Sequence, residues 1–480
     1  MKKWITTVLL AVSASSLWAH TLPETDSIVY QDKAVQVTQF NDAGLAHFSY
    51  AILANGQLII VDPGRNPAIY LAFARQKKAR IAGVIETHPH ADFASSHNEL
   101  HKFTGARIYT SSLVKPGYTY TRFDENDHIA LGGTVALRAI FTPGHAPDAI
   151  AAVLTENDKD IAVFSGDALL IGDVGRPDLR SYNGDVATQR EVLAHKMYHT
   201  VWEKFAVLND DVLLLPTHGA GSLCGKSMRK ANVSTIGYER AHNYAFQLKD
   251  EDVFVKTLLA DLPAIPAYFP YDVALNVAGV PDFLPGVQGV PLLPPNKNPD
   301  TTALIVDGRA GPLFKQSYLR NAINIQDGRR FETWLGTVVG PDQRFYITAE
   351  NEAQLRVLIE KAAKIGYESK LLGAFVYNDV QGAHFPVLDT TQRLNVHAYT
   401  IIDVRTPKEA KDNPLFPDAL NIPLDQLSRR IGEIPAGKPI LVHCESGYRS
   451  ATGSSIIKKY LPAAEVLDLG TAVKSYEGKH

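Results

Sequence analysis

Ile81-Ala-Gly-Val-Ile-Glu-Thr-His-Pro-His-Ala-Asp-Phe93 is a short apolar run that stops on two imidazoles and a carboxylate. Ile81 to Glu86 reads as a buried strand, and Thr87-His88-Pro89-His90-Ala91-Asp92 follows at its end. α/β folds place their sites where strands stop. Three more strand-like runs end in the same manner. Thr142-Pro143-Gly144-His145 stands 57 positions after His88, Ser165-Gly166-Asp167 another 22, and Pro216-Thr217-His218-Gly219 another 51. A lone histidine pair would be ordinary core or surface chemistry. Four ligand-type motifs, each at a strand end and each with Gly or Pro at the turn, read as a metal centre.

The surrounding chain alternates strand and helix. Ala51 to Asp62 gives strand, turn and strand, and Asn66 to Lys78 has a helical pattern. Phe141, Ile150 to Leu154, Ile161 to Phe164 and Val212 to Leu215 supply further strand material. Residues 262–300 are rich in Pro and Gly and read as a linker and domain entry. Beyond them a motif occurs twice: Leu304-Ile305-Val306-Asp307-Gly308-Arg309 with Asn321-Ala322-Ile323-Asn324-Ile325, then Ile401-Ile402-Asp403-Val404-Arg405 with Asp418-Ala419-Leu420-Asn421-Ile422-Pro423. The spacing is near 96 residues, so the C-terminal half is an internal repeat of a smaller α/β unit.

At 480 residues, with 45% hydrophobic and 21% charged residues, the chain has the composition of a globular protein of about three domains. A net charge of −3 excludes nucleic acid as the main partner. Lys2, Lys3, the apolar run Trp4 to Val12 and the small residues before Ala19 form an export signal over residues 1–19. The mature chain is expected to have no membrane span and to work outside the cytosol, with the periplasm as the expected compartment. Two cysteines, Cys224 and Cys444, cannot build a disulfide framework, so a chemical role is expected of at least one.

The order of the histidine and aspartate motifs resembles the metallo-β-lactamase fold, an αββα sandwich with its metal at one edge. Ser165-Gly166-Asp167-Ala168-Leu169-Leu170, Gly175-Arg176-Pro177-Asp178 and Ser234-Thr235-Ile236-Gly237-Tyr238-Glu239 are similar to the persulfide dioxygenase branch. That resemblance implies one ferrous iron per chain held by His88, His145 and Asp167, with zinc as the alternative metal. It places His90, Asp92 and His218 in the pocket around the metal. The superfamily motif ends Asp-His, whereas Asp92 is followed here by Phe93, which argues against a second metal ion. Two imidazoles and a carboxylate leave three positions of iron open for persulfide and O2. Arg176 is expected either to fork a substrate carboxylate or to make a salt bridge to Asp178. Cys224, six residues past His218, either faces the metal mouth as a sulfur relay or is a small buried residue.

Pro439 to His443 is a buried-type strand running into Cys444-Glu445-Ser446-Gly447-Tyr448-Arg449 and the helix-like Ser450 to Leu461. A cysteine there sees convergent backbone N–H groups and a helix N-terminus, which stabilise an anion. The C-x-x-G-x-R pattern resembles the active loop of rhodanese sulfurtransferases, with Cys444 and Arg449 catalytic and Gly447 and Tyr448 contacting substrate. The family's Gly-His before the Ala-φ-Asn motif is replaced by Leu415-Phe416-Pro417. A phosphatase loop would be one residue longer. The first repeat copy has Ala349-Glu350-Asn351 at the corresponding turn and no cysteine, so it is expected to be silent, a spacer or docking surface.

From these readings the expected architecture is a signal peptide at 1–19, a metallo-β-lactamase-fold persulfide dioxygenase domain at 28–265, a rhodanese-like domain without its cysteine at 266–380, and a rhodanese domain at 385–480. The resemblance implies oxidation of a thiol persulfide, such as glutathione persulfide, by O2 to sulfite, coupled to formation or use of thiosulfate on Cys444. The alternatives are a zinc-dependent thioester hydrolase of the glyoxalase II type with an attached sulfurtransferase, and a non-enzymatic sulfur carrier or sensor. A homo-oligomer is compatible with the sequence.

Overall fold

The computed structural model describes residues 25–180, 186–299, 302–389, 394–435 and 437–476. The expected signal segment lies outside the described residues. The N-terminal region is built on two sheets. Seven strands from Thr25–Gln31 to Thr121–Arg122 follow one another in chain order, and six from His128–Gly132 to Ser234–Thr235 form the second sheet. The first hairpin illustrates how local chemistry sets register. Asn55 and Gly56, at φ 48° and 72°, form the two-residue turn that pairs His47–Ala54 with Gln57–Val61.

Phe48, Tyr50, Ile52, Leu137 and Phe164 fill the space between the two sheets. Tyr70, Phe73 and Leu100 pack helices on one outer face, and Met197, Val201, Phe205 and Leu214 do so on the other. The result is an αββα sandwich. Arg80–Ile85 pairs parallel to Gln57–Val61, and Lys159–Gly166 pairs parallel to Leu213–Pro216. Their carboxyl ends are tied at one edge, where the Phe48 N–H donates to the Thr217 carbonyl at 2.6 Å.

The Pro/Gly-rich stretch corrects the linker expectation. It contains two helices, Phe269–Ala278 and Phe283–Gln288, packed on the metal-motif edge. Pro270 occupies the first turn of one helix and Gly279, at φ 103°, ends it, so these residues mark helix boundaries rather than loose chain.

Two four-stranded parallel sheets follow. Leu304–Asp307 and Phe345–Ala349 are central to one, Thr400–Asp403 and Ile440–His443 to the other. The repeat extends to atoms. Arg309 Nη2 donates to Asp307 Oδ2 at 2.6 Å, as Arg405 does to Asp403. Asn324 donates to the carbonyls of Asp307 and Arg309, as Asn421 does to those of Asp403 and Arg405, all at 2.9 Å. Asp307 pairs with Thr348 and Asp403 with His443, so Ala349 stands where the second copy has Cys444. The copies share one apolar core, and Asn324 N donates to Ser455 Oγ across the contact between them at 2.9 Å. No described helix is long and apolar enough to cross a membrane.

Candidate metal centre and cysteine loop

His88, His145 and Asp167, all buried, present one donor atom each within 4.8 Å of one another. Their orientation follows from the residues behind them. Thr87 Oγ1 donates to Asp62 Oδ2 at 2.9 Å, so its oxygen accepts from His88 Nδ1 at 3.0 Å. His145 Nδ1 donates to the Arg176 carbonyl at 2.9 Å. Both imidazoles therefore turn an Nε2 lone pair toward Asp167 Oδ2, at 3.9 and 3.5 Å. This is the arrangement by which proteins orient metal-ligating histidines.

Protonation suits the same role. Burial and the neighbouring His90 and His145 rings hold His88 well below the usual histidine range, and burial lowers His145 too. Burial pushes the Asp167 carboxyl up, but His218, His145 and His88 outweigh it and hold Asp167 well below the carboxylate range. Two neutral imidazoles and a carboxylate converge, which fits a divalent metal such as ferrous iron.

His90, Asp92, His218 and Cys224 surround this triad in two further groups. His90 turns away to Asp62 and Glu86, at 3.2 and 3.5 Å. His218 bridges Asp167 and Asp92 at 2.8 and 2.9 Å; burial opposes its charge, but the two carboxylates raise its pKa well above the ordinary value. Cys224 is buried beside Asp92 and His218, and burial, with the Asp92 and Asp167 charges, pushes its thiol up, keeping it protonated. Phe93 is fully buried, stacked on His90 at 4.3 Å between ring centroids and against His47 at 4.1 Å. An apolar ring thus fills the place of the motif's next histidine.

Arg176 occupies the salt-bridge arrangement of its two expected ones. It is 2% exposed and makes two bonds to Asp178, at 2.6 and 2.7 Å, plus one to the Pro263 carbonyl at 2.5 Å. A guanidinium so committed has no free fork for a substrate carboxylate.

Several groups around the centre were not read from the sequence. Asp62, at the end of strand Gln57–Val61, accepts from Thr87 N, Thr87 Oγ1 and Thr217 Oγ1 at 2.6 to 2.9 Å. Its position after an apolar run was a usable signal. Asn276 carried none. From helix Phe269–Ala278 its Nδ2 donates to the carbonyls of His90 and Phe93 at 2.9 and 2.8 Å, and its Oδ1 accepts from Ser95 N at 2.9 Å. The Ala94 N–H donates to the Lys364 carbonyl at 2.8 Å. The loop after His88 is therefore braced by the downstream half of the chain.

At the second centre Cys444 is fully buried, and its Sγ accepts from Gly447 N at 3.1 Å and Ser450 N at 3.4 Å. Gly447 has φ 95°, and a Cβ there would meet the Gly470–Thr471 backbone at 2.9 and 3.0 Å, so the curl requires glycine. Helix Tyr448–Tyr460 has no side-chain cap; the sulfur takes that place. In the first copy the equivalent helix Glu352–Lys364 is capped by Asn351, whose side chain accepts from Gln354 N at 3.0 Å. The first copy has Ala349 where the second has Cys444, and its Asn351 cap takes up the N–H group that the sulfur accepts from in the second.

Arg449 lies beside the loop but makes a two-pronged pair with Glu409 at 2.6 and 2.7 Å. Burial pushes the Glu409 carboxyl up, but Arg449 dominates and brings it down to about 2. The positive charge expected next to the sulfur is thus largely balanced. Tyr448 donates to the Gln326 carbonyl of the first copy at 2.5 Å.

Residues 43–218 match the metallo-beta-lactamase superfamily, and residues 388–478 match the rhodanese-like domain. The human and bovine proteins described as mitochondrial persulfide dioxygenase are 29% identical to this chain over 203 residues, covering 42% of it and 71% of each relative. A cytoplasmic hydroxyacylglutathione hydrolase of Arabidopsis thaliana is 28% identical over 134 residues, covering 27% of this chain and 52% of that protein. A crystal structure of a metallo-beta-lactamase from Staphylococcus aureus superposes with a TM-score of 0.66 at 29% identity, covering 72% of this chain and 99% of that one. That share exceeds what residues 43–218 alone could supply, so the likeness runs past the first domain. A metallo-β-lactamase domain homologous to persulfide dioxygenases is thus joined to a C-terminal rhodanese-like domain in one chain.

Proposed function

We propose that this protein is an exported sulfur-oxidising enzyme in which His88, His145 and Asp167 hold one ferrous iron and Cys444 carries a persulfide. One observation carries the reading. A face of two neutral imidazoles and a carboxylate, with Phe93 filling the adjoining position, stands in the same chain as a cysteine sulfur held by backbone N–H groups. Iron bound there would supply the centre at which the terminal persulfide sulfur gives four electrons to O2: R–S–SH + O2 + H2O → R–SH + H2SO3.

The chain's own groups set the conditions for that chemistry. Thr87 and the Arg176 carbonyl fix the two imidazoles, and His218 holds Asp167 by its other oxygen. Burial excludes bulk water, which strengthens every electrostatic contact inside. At Cys444, sulfite attacks the outer sulfur of the persulfide. The S–S bond breaks, its electron pair returns to Cys444 as thiolate, and thiosulfate leaves. The Gly447 and Ser450 N–H groups stabilise that thiolate. Run backwards, the step draws sulfur from thiosulfate.

The hydrolase reading is supported by the plant relative and by the Asp92–His218–Cys224 group, and it requires zinc. Metal analysis with oxygen uptake on glutathione persulfide separates the two readings. One iron per chain and persulfide-dependent oxygen consumption are expected. Two zinc ions per chain, with iron-loaded protein inert to persulfide and O2, refute the oxidation.

A further inference from the structure

Strands Gln57–Val61 and Arg80–Ile85 lie parallel, and each is followed by an acid, Asp62 and Glu86. The metal motif folds His90 back between the two, with Nε2 at 3.2 Å from Asp62 Oδ1 and 3.5 Å from Glu86 Oε2. All three side chains are buried, at 1%, 3% and 0% exposure, and one donor atom of each lies within 4.8 Å of the others. The group shares no residue with His88, His145 and Asp167.

The outward atoms of this group are satisfied. Asp62 Oδ2 accepts from Thr87 Oγ1 and Thr217 Oγ1 at 2.9 and 2.6 Å, and Glu86 Oε1 accepts from Ser95 Oγ at 2.6 Å. The inward atoms are not. Glu86 Oε2 and both ring nitrogens of His90 have no hydrogen-bond partner among the described residues, a rare state for buried polar atoms. Stacking on Phe93, at 4.3 Å between ring centroids, holds the His90 ring instead. His97 lies outside the group, 3.4 Å from the Glu86 oxygen that Ser95 already serves. The ordinary alternative to an ion is a proton on His90, which burial opposes and the two carboxylates favour. That proton would leave one negative charge in excess among the three side chains, and Nε2 would still donate to neither carboxylate in good geometry. A divalent ion with a neutral imidazole balances both charges. Ligands about 2.0–2.2 Å from a tetrahedral zinc stand roughly 3.3–3.6 Å apart, close to the separations found here.

We propose that Asp62, Glu86 and His90 hold a second divalent ion, of the zinc class, separate from the ion of the first centre and structural in its task. One imidazole and two carboxylates are a donor set that zinc accepts. The ion clamps the ends of the two strands together. Asp62 also accepts from Thr87 N at 2.8 Å, so the clamp stiffens the turn that presents His88. Phe93, which fills the place of the motif's next histidine, here packs on a ligand of the second ion.

The metal content of the full-length protein tests this. The protein is isolated without chelators from cells grown with iron and zinc. All divalent ions are counted together, so the result stands whichever metal the first centre takes. The parent should hold two equivalents per chain, Glu86→Gln and His145→Ala one each, and the double variant none. Should Glu86→Gln not fold, His90→Gln is read in the same way. Cobalt-grown His145→Ala protein adds a spectroscopic readout. It should show the visible bands of an ion with nitrogen and oxygen ligands, without a thiolate charge-transfer band, and lose them when Glu86→Gln is added. Equal content in the parent and Glu86→Gln overturns the proposal. So does a thiolate band, which would put the ion at Asp92, His218 and Cys224. If His145→Ala costs no ion while Glu86→Gln loses one, the second site stands and the reading of the first centre fails.

Discussion

Replacing Asn276 by Ala removes three hydrogen bonds, at 2.8 to 2.9 Å, between helix Phe269–Ala278 and the loop carrying the metal motif. The residue is 2% exposed, so the carbonyls of His90 and Phe93 and the N–H of Ser95 lose their partners in a nearly dry place. Each unsatisfied buried group costs about 1–3 kcal/mol. Water entering the vacated space recovers part of that, so about 3 kcal/mol in total is the expected loss. Where the loss falls on the metal-competent form of the loop, it weakens metal binding by about 100-fold, at the upper end of what outer-shell substitutions do. Asn276→Asp, close to the same size, should do no better, because a carboxylate cannot donate to two carbonyls. The assay is iron titration against a competing chelator, with urea unfolding of metal-free and metal-loaded protein alongside. Affinity within twofold of the parent and an unchanged unfolding midpoint would falsify the claim that the downstream half braces the metal loop.

Cys444→Ser should retain persulfide-dependent oxygen uptake yet release sulfite in place of thiosulfate. It should also lose all transfer from thiosulfate to cyanide, since Ala349 occupies the matching position of the other copy; residual transfer in that variant would reveal a second nucleophile. Glu360 sits in helix Glu352–Lys364, where burial pushes its carboxyl up to about 7 from an ordinary 4.5. With the folded pKa raised, its favourable contribution is complete below about 4.5 and is lost as pH rises through about 7. Glu360→Gln should therefore match the parent in urea midpoint near pH 4.5 and exceed it at pH 8; a gap that does not widen with pH would show that the site is not shifted.

The metal triad was legible because its signals are local. An apolar run ending in Thr-His, Gly-His or Gly-Asp needs only strand and turn chemistry; Val135–Phe141 and Lys159–Gly166 both run antiparallel to Ile150–Glu156, and Lys159–Gly166 pairs parallel to Leu213–Pro216, so these ends come to one edge. The cysteine loop was legible for the same reason, and Ala349 marked the copy that lacks the cysteine. Long-range partnerships left no such trace. Nothing near Asn276 announces three bonds to a loop some 180 residues upstream, and nothing near Arg449 announces Glu409. The Pro/Gly-rich stretch was misread because the residues that start and stop a short helix are those that also populate linkers. Arg176 shows a different gap: the sequence offered a substrate fork and a salt bridge together, and only packing against Asp178 and Pro263 chose between them.

The braces across the molecule also set an order of assembly during synthesis. Asn276 leaves the ribosome 186 residues after His90, and the partners of Arg65 and Asp42, Glu368 and Lys364, follow 303 and 322 residues behind them. At 5–20 residues per second the first interval lasts roughly ten to forty seconds, and the later ones roughly fifteen to sixty. Through that time Ala91 and Phe93 lack the downstream part of the core they share with the later half of the chain. The nascent chain thus carries its candidate metal ligands long before it can hold them still.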